Sequence, residues 1–175
     1  MRSALSWRRL FGLESPPEGF LGTLEPDERV VASAEVAGGG GVLVCTPHGL
    51  WLPEGRRVGW HLISKATWGN DTLTVIEAEV GENLTEAVVL VDGFPRSFRL
   101  TEPGRVPEVV HRRVTGSIRA RQRIELADGG AWLLRRAVAG ADGTLLQVRV
   151  DPGTDVETLR GAIPEAARTL KEETP

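Results

Sequence analysis

Between Arg29 and Leu100, apolar and polar residues alternate with a period of two, and turn residues break the alternation at short intervals. Val30, Ala32, Ala34 and Val36 fall on one side of an extended chain, as a half-buried strand requires. Gly38 to Gly41 forms a loop. Short strands at 42–46 and 50–52 flank the turn Pro47-His48-Gly49, and Val58, Trp60 and Leu62 share the next face. Segments 66–68 and 73–79 flank Gly69-Asn70-Asp71, a hairpin signal, and segments 86–91 and 94–100 flank Asp92-Gly93. About seven strands at this spacing predict a sandwich or a partly open barrel.

After Pro103-Gly104 the period changes. Val106, Val109, Val110 and Val114 form the stripe of an amphipathic helix, with Pro107 in its first turn and Gly116 as its stop. Three strands follow. The first carries Ile118, Ala120, Gln122, Ile124 and Leu126 on one face, the second Trp132, Leu134 and Val138, the third Leu146, Val148 and Val150; turns at Asp128-Gly129-Gly130 and Ala141-Asp142-Gly143 make them an antiparallel meander. A last helix, capped by Thr154 or Asp155, places Val156, Leu159, Ile163, Ala166, Ala167 and Leu170 on one face, and Pro164 predicts a kink or restart inside it.

The order is thus strands, helix, strands, helix, with no alternating βαβ units, which argues against a doubly wound nucleotide fold. The fold class expected is α+β, mostly β.

Seven short strands followed by one helix resemble the plan of pleckstrin-homology-like domains, in which the helix plugs one end of a bent antiparallel sheet. The runs Val58-Gly59-Trp60-His61-Leu62-Ile63-Ser64-Lys65-Ala66-Thr67-Trp68, Glu102-Pro103-Gly104-Arg105-Val106-Pro107-Glu108-Val109-Val110 and Arg112-Arg113-Val114-Thr115-Gly116-Ser117-Ile118 are also similar to a family of short uncharacterised actinobacterial proteins. That resemblance implies a pleckstrin-like β domain and a binding module rather than an activity. An N-terminal helix and linker are expected over 1–27, a pleckstrin-like β domain with its closing helix over 28–116, and a three-stranded meander plus C-terminal helix over 117–175.

Composition narrows the function classes. An apolar fraction of 41% and a charged fraction of 26% describe a chain able to build a core, not a disordered one. Cys45 is the single cysteine, so neither an internal disulfide framework nor a cysteine-based zinc knuckle is available, and its apolar surroundings predict a buried, inert thiol. The longest apolar run falls well short of the roughly 20 residues that cross a bilayer. Arginines where a signal peptide would have its apolar centre exclude a secretion signal, so a cytoplasmic location is expected.

Chemistry-bearing patterns are few. Gly38 to Gly41 lacks the Lys and Ser/Thr of a phosphate loop. His48, His61 and His111 show no metal spacing, no nucleophile elbow is present, and no cofactor is implied. The expectation is a non-enzymatic binding or scaffold module. Its rival is a small-ligand or enzymatic pocket near Cys45, His48 and His61.

Net charge is −3 overall, yet residues 104–175 carry 12 basic and 10 acidic side chains. Arg119, Arg121 and Arg123 project from one strand face, followed by Arg135 and Arg136 on the next strand, and together these five are anion-binding candidates. Nonspecific nucleic-acid binding by the 118–126 strand is a weaker expectation, because no aromatic residues interleave with the arginines. Trp7, Arg8, Leu10 and Phe11 form the second candidate surface, for a protein partner, a second copy of the chain or peripheral contact with a membrane.

Overall fold

The structure is a computed structural model and describes residues 15–172. The segment carrying Trp7, Arg8, Leu10 and Phe11 lies outside the described residues.

Strands β1 (Ala32–Glu35), β2 (Val42–Cys45), β3 (Gly49–Trp51) and β4 (Arg57–Gly59) form an antiparallel meander. A single 3-10 turn, Trp60–Leu62, leads into β5 (Ile63–Gly69), which hairpins into the long β6 (Thr72–Asn83). The hairpin turn places Asn70 and Asp71 at φ of 49° and 56°, the left-handed pair that matches the twist of two antiparallel strands. β7 (Val88–Asp92) and β8 (Arg96–Arg99) do not pair with each other. β8 pairs with the first half of β6 and β7 with its second half. A bridge from Val36 to Leu100 ties β1 to the end of β8, giving a curled, open half-barrel.

Helix α1 (Val106–Gly116) closes this body. Its buried face is Val106, Val109, Val110 and Val114, packed with Leu43, Cys45, Leu50, Trp60, Ile63, Leu73 and Phe98. Each valine so buried is worth roughly 1.5 kcal/mol or more, which fixes the helix against β5. The valine stripe read from the sequence is therefore the core face of α1.

The meander β9 (Ile118–Leu126), β10 (Gly129–Ala137) and β11 (Thr144–Val150) is antiparallel, as its pattern predicts. Its apolar face, Ile124, Ala131, Leu133 and Val148, packs on Leu159, Ile163, Ala166, Ala167 and Leu170 of α2 (Val156–Glu172). Asp155 caps α2 by accepting the backbone N–H groups of Glu157 and Thr158; Thr154 instead bonds Gly130. Pro164 does not restart the helix, which runs as one element from Val156 to Glu172.

The sheet does not stay antiparallel. β11 pairs in parallel with β7 through Gln147–Val88, Val148–Val89 and Arg149–Leu90, so one sheet runs β5-β6-β7-β11-β10-β9 through both halves of the chain. β6 and β7 are the shared spine. No helix of the described residues is long and apolar enough to cross a membrane.

A basic cleft at the seam between the two halves

Where α1 ends and β9 begins, the two halves meet around a buried arginine. Arg136, on β10, is 2% exposed and has no carboxylate partner among the described residues. Its Nη1 donates to Ile63 O at 3.0 Å, Nη2 to Trp60 O at 2.8 Å and Val114 O at 3.2 Å, and Nε to Ser117 Oγ at 2.9 Å. Burial, with the nearby Arg149 charge, pulls its pKa down to about 10, so it remains a cation at neutral pH. Three carbonyl dipoles and the C-terminal end of α1 supply the compensating negative potential. The strand position of Arg136 predicts a surface anion site, but the residue is buried and its donors are already spent on the protein. A β-strand alternation places it on the arginine face, but that face at this end of β10 is covered by the first half of the chain.

Adjacent strands continue the same junction. Gln147 Nε2 donates to His61 O at 2.9 Å, and Arg149 pairs with Asp92 at 2.8 Å. His61 itself is half-buried; burial first, and then the Arg136 charge, holds its pKa below the ordinary value.

Outside the junction a cleft of about 710 Å³ opens. Arg112, Arg113, Gly116 and Ser117 line it from the end of α1, Arg119 from β9, Ala137 to Thr144 from the loop joining β10 to β11, and Pro47 and His48 from the opposite turn. Arg119 enters it because β9 carries one extra residue there. The register passes from Arg135–Ala120 directly to Arg136–Ile118, and such a bulge re-aims the side chain between. Arg112 pairs with Glu108 at 3.2 Å, whereas Arg113 and Arg119 have no ion-pair partner among the described residues. The Nε of Arg113 is buried without a hydrogen-bond partner among the described residues. Asp142 is the one acidic residue of the lining.

The turn that forms the opposite wall is held by a buried acid. Glu28 accepts from Thr46 Oγ1, Trp51 Nε1 at 2.9 Å, Arg57 Nη1 at 2.8 Å and its neighbour's Glu25 N at 3.2 Å. Burial pushes this carboxyl up, but the hydrogen bonds from Thr46, Trp51 and the Glu25 N–H, with the Arg57 charge, outweigh it and leave the pKa below the ordinary value. Thr46 Oγ1 in turn accepts the His48 N–H. His48 Nδ1 lies 2.9 Å from Glu25 and Nε2 3.3 Å from Asp27. Although these three could surround a cation, Arg57 already sits 3.2 Å from the same Glu25 oxygen, so the carboxylates have their counter-charge.

The remaining arginines divide. Arg123 is held by Asp151 in a two-pronged pair and by Glu125 at 3.0 Å, which removes it from the list of free cations. Arg121 is exposed and stacks over Trp132, 5.6 Å from the ring centroid, with Arg123 at the same distance. Arg135 is half-buried, faces away from this row and stands with Glu86, Thr144 and Leu170. The five candidate arginines thus stand in five different environments.

The rival pocket does not assemble. Cys45 lies in the core with its thiol pushed up to about 12, first by burial, and neither it nor His61 lines the cleft that His48 borders. The six arginines between 105 and 123 mark this stretch in the sequence, but strand alternation selects only Arg119, Arg121 and Arg123 from it and leaves out Arg112 and Arg113.

No family model matches the chain, and neither curated proteins nor solved structures show significant similarity to it.

Proposed function

We propose that the protein is a non-enzymatic, cytoplasmic binding module that recognises an anionic ligand in the cleft between its two halves. The observation that carries this reading is the convergence of Arg113 and Arg119, both uncompensated among the described residues, in a cleft of about 710 Å³. A cleft of this size with a few convergent polar groups has the form of a small-ligand site. The end of α1 forms one wall of the cleft, and the βββα half adds the second.

Charge arithmetic disfavours nucleic acid. With Arg123 neutralised and Arg136 buried, the exposed strip offers Arg119 and Arg121. Two phosphate contacts give a salt slope near −2, too shallow for useful nonspecific affinity at physiological ionic strength. Among the described residues of the lining, Ser117 Oγ is engaged with Val114 O and Arg136, and His48 with Glu25 and Asp27, an arrangement suited to holding a ligand.

The test is an amide NMR titration of the full chain with small anions at constant ionic strength. Shifts confined to 112–119 and 137–144 support the reading. Shifts centred on Arg121 and Trp132, or none above those given by chloride, overturn it.

A further inference from the structure

Resting on that reading, we infer that the cleft takes a single phosphomonoester group, the dianionic end of a small molecule, in preference to a carboxylate or a polyphosphate.

The donor set decides between anions. Arg113 and Arg119 each present a planar fork, and no hydrogen bond or ion pair among the described residues engages either fork. One arginine satisfies a carboxylate bidentately, leaving the second fork idle. A phosphoryl group has three terminal oxygens and accepts both forks at once. The Nε of Arg113 is buried and unpartnered, so this guanidinium has unmet hydrogen-bonding capacity.

Charge sets the upper limit. Arg112 is paired with Glu108 and Asp142 stands on the loop wall, so the lining holds two unpaired cations and one acid. A phosphomonoester carries about −1.5 to −2 at neutral pH, matching two arginines. A di- or triphosphate would set surplus negative charge against Asp142.

The end of α1 would normally repel an anion, because a helix C-terminus carries partial negative charge. Here Arg136 neutralises it from beneath, through Val114 O and Ser117 Oγ. Trp60, the one indole or phenyl ring of the lining, is 2% exposed, and the His48 ring is held between Glu25 and Asp27, so neither offers a free stacking face. The rest of the ligand is therefore a non-aromatic body.

Calorimetric titration of the full chain would use glycerol 2-phosphate, dimethyl phosphate, succinate and pyrophosphate at equal ionic strength. A second arm would use vesicles containing phosphatidic acid, which presents the same headgroup chemistry on a lipid surface. Glycerol 2-phosphate should bind at least tenfold tighter than dimethyl phosphate, succinate or pyrophosphate, and its affinity should fall as pH drops below about 6, where the dianion gains a proton. Arg119→Ala, on an exposed bulge, should weaken it ten- to a hundredfold, Arg119→Lys less, and Arg121→Ala not at all. Vesicle binding with the same response to Arg119→Ala supports the same chemistry with a lipid as its source. Equal affinity for succinate, lost in Arg119→Ala, overturns the phosphomonoester while leaving an anion cleft. No binding of any anion overturns both.

Discussion

Arg136 donates to the carbonyl of Trp60 at 2.8 Å, joining residues 76 positions apart in the chain. This bond and its neighbours to Ile63, Val114 and Ser117 let a buried cation replace the water that would otherwise satisfy the end of α1 and the start of β5. Because the cleft is bounded by elements that Arg136 joins, its shape depends on a residue that does not line it.

Replacing Arg136 with Met leaves three buried carbonyls without that donor. Each buried acceptor left unmet in this way costs about 1–3 kcal/mol. Urea unfolding should show the loss, with a fall in melting temperature of roughly 10 °C. Arg136→Lys should recover only part, since one ammonium cannot reach three carbonyls and a hydroxyl in a fork geometry.

His61 gives the junction a pH dependence. Its folded pKa lies below the free value of 6.5, through burial and then the Arg136 charge, so the unfolded chain takes up the proton first. The stabilisation is complete above about pH 6.5 and erodes as pH falls toward the folded pKa. Denaturation midpoints at about pH 7 and about pH 5 should therefore differ, and His61→Gln should flatten that difference.

Glu28 acts in a lower window. Its folded pKa is held below 4.5, so its contribution is full above that value and lost as pH falls through the folded pKa. Glu28→Gln should cost about 2–3 kcal/mol at neutral pH by removing the charged acceptor facing Arg57 and Trp51. It should also reduce the acid loss, read from tryptophan fluorescence during acid titration.

Pro164 lies inside a continuous helix and cannot donate a backbone hydrogen bond there. Pro164→Ala should raise stability by about 1–3 kcal/mol, measured by chemical denaturation.

The elements were legible in the sequence because burial imposes a period. The valine stripe of α1, the Leu159–Leu170 face of α2 and the Gly69-Asp71 hairpin each follow from local spacing. The joining of the halves was not legible. The parallel pairing of β11 with β7 connects residues about sixty positions apart, and nothing in either strand's alternation encodes a partner. The site was half legible for the same reason. Alternation places Arg119, Arg121 and Arg123 on one face, but a bulge re-aims Arg119, Asp151 from a distant turn consumes Arg123, and the first half of the chain buries Arg136. Arg113 lies on a helix, so no strand pattern could group it with Arg119.

Native-state hydrogen exchange tests most directly whether the two halves are one body with a recognition cleft at its seam. The amides of Val75 in β6 and Leu133 in β10 should open with the same free energy, and glycerol 2-phosphate should slow both equally. A β9–β11 meander that opens at its own lower free energy, with Val75 unmoved by the ligand, would contradict the account.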